Sequence, residues 1–309
     1  MANPLYGRNL ITIESLSRQE LELILTLTAR CKAQPTPPYL KGRIVASCFF
    51  EASTRTRLSF EAAVHRLGGS VIGFADGQQS SSQQKGESLS DTIRIISGYA
   101  DALVLRHPQA LAAQQAVEAA AGIPVINAGD GAHQHPTQAL LDLFTIQETQ
   151  GRLEDLNIAL VGDLKYGRTV HSLVQVIMPF KGNHLFLIAP EALMLPGPLL
   201  QQLQQRGVPY SVHQQLHAVL PQCDILYMTR LQQERFQTTT ERVTAPCILT
   251  LADLQTARMN LKVLHPLPRV GEIATDVDHS PYAYYFQQAR NGLYTRQALL
   301  ALLLSHDPH

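Results

Sequence analysis

From Ile44 onward, short apolar runs alternate with longer stretches of helical periodicity, and this alternation limits the available folds more than any other feature of the chain. Residues 44–48, 71–74, 102–105 and 124–127 read as buried strands. Helical patterns fall near 20–33, after residue 53, and near 88–99, 109–121 and 136–150. Such alternation specifies a parallel sheet with helices on both faces. Gly151-Arg152 marks a joint, after which strand patterns resume at 158–161, 184–189, 210–212 and 225–229. A last helical pattern, 284–304, is long enough to cross back onto the first domain. The expectation is an α/β fold of two domains, each a mostly parallel sheet flanked by helices. The first spans 1–150 with the segment 284–309 packed on it, and the second spans 151–283. A chain of 309 residues is long enough for two such cores.

Composition narrows the function classes. Lys plus Arg, 25 residues, balance Asp plus Glu, also 25, so no global field recruits nucleic acid or an anionic membrane. Any cationic site must be local. No apolar run reaches the length of a membrane span, and no basic-then-apolar leader opens the chain. Cys31, Cys48, Cys223 and Cys247 are scattered without a CxxC pair, which argues against a disulfide scaffold or zinc knuckle and fits the cytoplasm.

The densest chemistry lies in Phe49-Phe50-Glu51-Ala52-Ser53-Thr54-Arg55-Thr56-Arg57. A strand precedes it. After it Phe60, Ala63, Val64 and Leu67 mark one helix face, and Gly68-Gly69 a stop. Ser53 is a candidate N-cap, and the first backbone N–H groups of a helix have no internal partners. With those N–H groups, three hydroxyls and two guanidinium groups converge on one spot, an anion site that suits phosphate. The plain alternative is a capped helix with a solvated basic face.

Other candidates follow strand ends, where open parallel sheets gather ligands. Arg106 ends one strand, and Pro136 suits a first helical turn that places His135 and Gln138 beside the same edge. His133, His135 and Asp130 could instead bind a metal, but no third ligand arrives at helical spacing. The polar stretch 76–87 reads as a solvated surface loop. Gly162-Asp163-Leu164-Lys165-Tyr166-Gly167-Arg168-Thr169 has P-loop spacing with Arg in place of Lys, and the later strand ends in Arg230 rather than a magnesium-binding Asp. A pair of strand-end arginines, Arg168 and Arg230, fits a dicarboxylic acid better, because guanidinium forks hold carboxylates bidentately. In His265-Pro266-Leu267-Pro268-Arg269 the prolines set a rigid turn whose carbonyls can accept from an amine or amide.

Ser53-Thr54-Arg55-Thr56-Arg57 resembles the carbamoyl-phosphate motif of the aspartate and ornithine carbamoyltransferases, and the resemblance runs along nearly the whole chain. It is closest to the bacterial catalytic chains of the aspartate branch. The resemblance implies transfer of a carbamoyl group from carbamoyl phosphate to the amine of L-aspartate, in pyrimidine synthesis, with no metal and no cofactor. Ser53, Thr54, Arg55 and Thr56 would hold the phosphate. Thr56, Arg106 and His135 would donate to the carbonyl oxygen as it becomes an oxyanion. Gln138 and the carbonyls of Pro266 and Leu267 would orient the carbamoyl amide, with Leu267 and Pro268 lining its site. Arg168, Arg230 and Gln232 align with aspartate-binding positions. Ser81 and Lys85 align with residues that reach a neighbouring subunit's active site, Lys85 touching aspartate there; the preceding Gln83-Gln84 is less basic than in some relatives. The chain would then be a homotrimer with shared sites, and a separate regulatory chain stays open. Ornithine enzymes carry a cysteine-containing motif where this chain has His265-Pro266, which points to aspartate. No GxSxG elbow or Cys–His signature suggests a covalent intermediate. Direct transfer through a tetrahedral intermediate follows, with the leaving phosphate as proton acceptor. Another amine acceptor, or a non-catalytic phosphate sensor, are the competing readings.

Overall fold

The computed structural model describes residues 3–77, 85–231 and 248–308. The chain runs α1 (Arg18–Ala33), β1 (Ile44–Phe49), α2 (Thr54–Arg66), β2 (Ser70–Phe74), α3 (Leu89–Ser97), β3 (Ala102–His107), α4 (Ala112–Ala119), β4 (Val125–Asp130) and α5 (Pro136–Gln150). It continues with β5 (Asn157–Val161), α6 (Arg168–Ile177), β6 (His184–Ile188), α7 (Gly197–Gln205), β7 (Tyr210–His213), β8 (Ile225–Met228), β9 (Lys262–Leu264) and α8 (Tyr285–Leu304). Two compact units result, Met1–Leu141 with Arg290–His309, and Asp142–Ala289.

The first unit holds a four-stranded sheet in the order β2-β1-β3-β4, parallel throughout. β1 is buried from Val45 to Phe49, as a strand covered on both faces must be. Its core gathers Ala46, Cys48, Leu103, Leu105 and Val125 with Ile93 of α3 and the alanines of α4. Ser17 and Glu20 close a capping box on α1. The end of the chain returns to this unit: Lys32 Nζ donates to Asn291 at 2.9 Å, and Asn3 Nδ2 to the Leu302 and Ser305 carbonyls at 2.6 and 2.9 Å. α4 starts at Ala112, later than the pattern 109–121 predicts. Leu111 turns through φ 66° with its N–H given to Asp130 Oδ2 at 3.0 Å, which takes it out of helical register.

The second unit holds a five-stranded parallel sheet in the order β7-β6-β5-β8-β9. Its core packs Ala159, Val161, Leu226, Met228 and Val263 with Phe186, Ile188 and Tyr285.

In both sheets the strand order reverses beside the first strand of the unit. β1 lies between β2 and β3, and β5 between β6 and β8. The helices on either side of such a point leave in opposite directions, which opens a crevice at the carboxyl ends of the central strands.

Candidate active site

In the first unit three adjacent strands deliver the candidates. β1 leads into α2, whose N-cap is Ser53 and whose first residues are Thr54, Arg55 and Thr56. The Ser53 hydroxyl makes no capping bond, although the sequence marks it as a cap. Ser53, Thr54 and the opening N–H groups of α2 thus sit together at the positive pole of the helix, directly after β1. Thr56 is buried and Arg55 is exposed. Partial desolvation of the Arg55 guanidinium lowers its pKa, yet an arginine keeps its charge at any physiological pH.

Arg57 does not join them. Its Nε donates to Glu61 Oε1 at 2.7 Å, one turn along α2, as side chains four apart on a helix do. This corrects the expectation of two converging guanidinium groups within the motif. The second guanidinium comes from another strand. Arg106 of β3 is paired in register with Phe49 of β1, and the Phe50 N–H donates to the Arg106 carbonyl at 2.8 Å. Its side chain is only 12% exposed; Nη2 meets Glu51 Oε2 at 2.8 Å and Nη1 donates to the Ala128 carbonyl at 3.3 Å.

The third strand, β4, ends in a loop built around the buried Asp130. Asp130 Oδ1 accepts from Asn127 Nδ2 and the Gln134 N–H at 2.9 and 3.1 Å. Oδ2 accepts from the Leu111 N–H at 3.0 Å and lies 3.2 Å from His133 Nδ1. These bonds give the Asp130–His133 pair a scaffolding role. α5 then starts at Pro136, with His135 and Gln138 both buried at its first turn. Nothing in the sequence pattern singles out Asn127 or Glu51, whose partners lie in loops or across the sheet. Lys85 sits elsewhere, exposed in a turn after the edge strand β2. Ser81 lies outside the described residues.

The second unit repeats the plan with β5, β8 and β9. The turn after β5 is locked from beneath: Asp163 N–H donates to Thr229 Oγ1 at 3.0 Å, and Thr229 Oγ1 donates to the Val161 carbonyl at 3.0 Å. Gly162, at φ 116°, lies so close to β8 that a Cβ would stand 2.3 Å from the Thr229 carbonyl oxygen. Arg168 opens α6 and is buried; Arg230 follows β8, half-buried, with Nη1 donating to the Leu231 carbonyl at 3.2 Å. Gln232 lies outside the described residues. β9 ends at Leu264, and His265, Pro266, Leu267 and Pro268 follow, with Leu267-Pro268 cis. His265 Nε2 lies 2.6 Å from Glu272 Oε1, and the Leu267 N–H donates to His265 Nδ1 at 2.8 Å. Burial would raise the Glu272 pKa; the His265 contact and the Val270 N–H outweigh it and hold the carboxyl below its ordinary value.

Two open parallel sheets, each with arginines and a helix start at its switch point, have the form of an α/β enzyme with two places suited to anionic small molecules. Comparison with known proteins makes this specific. Residues 8–148 match the carbamoyl-P binding domain of aspartate/ornithine carbamoyltransferase, and residues 154–303 match the Asp/Orn binding domain. The aspartate transcarbamoylase of Trypanosoma cruzi, solved with N-(phosphonacetyl)-L-aspartic acid, is 39% identical, with 98% of each chain covered and a TM-score of 0.90. The same enzyme with carbamoyl phosphate and aspartate superposes with a TM-score of 0.91, at 39% identity over 98% of each chain. The catalytic subunit of M. jannaschii aspartate transcarbamoylase is 42% identical, covering 95% of this chain and 97% of its own, with a TM-score of 0.87. The chain belongs to the aspartate/ornithine carbamoyltransferase family.

Proposed function

We propose that the chain transfers the carbamoyl group of carbamoyl phosphate to the amino group of L-aspartate, giving N-carbamoyl-L-aspartate and phosphate for UMP synthesis. One observation carries this reading. A hydroxyl-rich helix start and a strand-end arginine occupy one switch point, and a pair of arginines occupies the other, in a chain whose relatives were solved with these substrates.

Ser53, Thr54, Arg55 and the α2 N–H groups suit the phosphate, being short donors at a positive helix pole. Thr56, Arg106 and His135 are the donors for the carbonyl oxygen. The aspartate amine attacks the carbamoyl carbon, the oxygen gains negative charge, and preorganised donors of this kind each supply about 3 kcal/mol. The C–O bond to phosphate then breaks, and the departing phosphate takes the amine proton. Gln138, Leu267, Pro268 and the Pro266 carbonyl orient the carbamoyl amide. Arg168, Arg230 and Gln232 hold the aspartate carboxylates.

Lys85, with Ser81, serves the site of a neighbouring chain in a cytoplasmic homotrimer. Its exposure and its place beyond β2, away from β3 and β4, support a role outside its own site. Exposed apolar residues in the same unit, Ile72 of β2, Ile95 of α3 and Tyr99 in the turn after α3, support burial against a partner.

Incubation with carbamoyl phosphate and a panel of amines, read by ureido colorimetry, tests the assignment. Aspartate alone should give product and stoichiometric phosphate. Preference for ornithine, or no turnover at all, would overturn it.

A further inference from the structure

Beneath the strand ends of the second unit runs a continuous buried chain of hydrogen bonds that the reaction itself does not use. Tyr227 of β8 donates its OH to Asp142 Oδ2 at 2.7 Å, and Gln288 Nε2 donates to Asp142 Oδ1 at 2.7 Å. Gln288 Oε1 accepts the His265 N–H at 2.8 Å. Tyr227, Asp142 and Gln288 are fully buried and His265 is 1% exposed. Burial and the Asp142 carboxylate push the Tyr227 phenol well above its ordinary pKa, so it remains a donor. A network satisfied at this depth holds its members in one geometry.

The ring of His265 carries that geometry into the following turn. A backbone N–H can only donate, so the 2.8 Å contact from Leu267 makes Nδ1 an acceptor. The ring proton therefore sits on Nε2 and is given to Glu272 Oε1, 2.6 Å away. Protonating Nδ1 would set N–H against N–H. The Leu267 N–H shares a rigid amide plane with the Pro266 carbonyl. Among the described residues only Leu267-Pro268 is cis, so Pro266-Leu267 is trans, and its C=O points opposite to its N–H. Fixing the N–H on His265 therefore aims the Pro266 carbonyl away from the ring.

We propose that His265 is a positioning residue for the carbamoyl donor: through the Leu267 N–H it aims the Pro266 carbonyl at the carbamoyl NH2 group, and so distinguishes a carbamoyl from an acetyl group. The inference rests on the reading above, in which this turn faces the carbamoyl amide. Glu272 holds the ring in the working tautomer. Acetyl phosphate is the informative probe, because it replaces only the NH2 by a methyl that cannot donate.

The test compares kcat/KM for carbamoyl phosphate with that for acetyl phosphate, at saturating aspartate, in the full-length enzyme. Turnover of carbamoyl phosphate by wild type checks the underlying reading, and the ratio checks this one. Wild type should favour carbamoyl phosphate about tenfold or more. His265→Leu should bring the ratio near one by losing the carbamoyl reaction and sparing the acetyl reaction. His265→Asn, whose amide oxygen can accept the Leu267 N–H, should restore most of the preference. If His265→Leu fails to accumulate, Glu272→Ala replaces it: without its anion the ring can carry the proton on Nδ1, and the ratio should fall in the same direction. Equal losses on both donors, or an unchanged ratio, would overturn the role of His265 while leaving the enzyme's activity as assigned.

Discussion

In the first unit the strand beside the switch, β1, hands the chain to a helix whose opening residues are hydroxyls and an exposed arginine. In the second, β5 hands it to a tight turn pinned by Thr229, and the arginine that opens the next helix is buried. On the neighbouring strands, Arg106 of β3 is paired with Glu51, and Arg230 after β8 gives one N–H to the Leu231 carbonyl. The contrast suits the two ligands proposed for the two units. A phosphate has many acceptor oxygens and suits short donors on a helix pole, which hold it from several sides. A carboxylate has a planar edge and suits a guanidinium fork set at a fixed angle, which burial supplies.

If the first unit acts on the reacting phosphate, its lesion should be the largest. Arg55→Ala should lower kcat by roughly three orders of magnitude while circular dichroism and melting remain near wild type. A normal kcat with only a raised KM for carbamoyl phosphate would place Arg55 outside the transition state. The second unit should respond in binding. Arg230→Ala should weaken aspartate or succinate by about 1.5–3 kcal/mol, roughly ten- to a hundredfold, in calorimetry with phosphate present. Inorganic phosphate alone should bind as before; equal losses for both ligands would dissolve the distinction between the units.

Lys85 belongs to the first unit by sequence and to neither strand-end cluster by place. Arg55→Ala and Lys85→Ala chains, each nearly inactive, should regain about a quarter of wild-type activity when mixed equally and allowed to exchange subunits. One junction in four then joins an intact Lys85 to an intact Arg55 in a symmetric ring. No recovery, with exchange proven by native mass, would return Lys85 to its own chain's site.

The smallest effect concerns Asp101 in the first unit. Burial would raise its pKa; the Ile44 N–H and the Arg43 guanidinium outweigh it and hold it low. A carboxyl lowered by folding stabilises the fold above its unfolded pKa, and that contribution fades as pH falls through the folded value. Asp101→Asn should therefore cost under about 1 kcal/mol at neutral pH, since the pair is partly exposed, and less at about pH 2, well below the unfolded value. Chemical denaturation at both values checks it; an equal cost at both would remove the charge from the explanation.

The alternation of apolar runs and helical patterns was enough to read both parallel sheets, because strands buried on two faces leave continuous apolar runs. β9 escaped that reading: Lys262–Leu264 is three residues long, too short to show any period. The site motifs were legible where chemistry is concentrated in sequence, as in Ser53 to Thr56. They were misjudged at Arg57, although Glu61 four residues on was the available signal. The Tyr227–Asp142–Gln288–His265 chain was invisible, because its members lie 85 and 146 residues apart along the polypeptide and meet only through tertiary packing.

If one unit binds the phosphate and the other the aspartate of a single reaction, a ligand that joins both should depend on both. Titration of N-(phosphonacetyl)-L-aspartate, which joins a phosphonate to an aspartate, into wild type, Arg55→Ala and Arg230→Ala measures this directly. Binding to wild type should be far tighter than phosphate and succinate achieve separately, with a loss of at least tenfold in each variant. An analogue that loses affinity in only one of the two variants would contradict this.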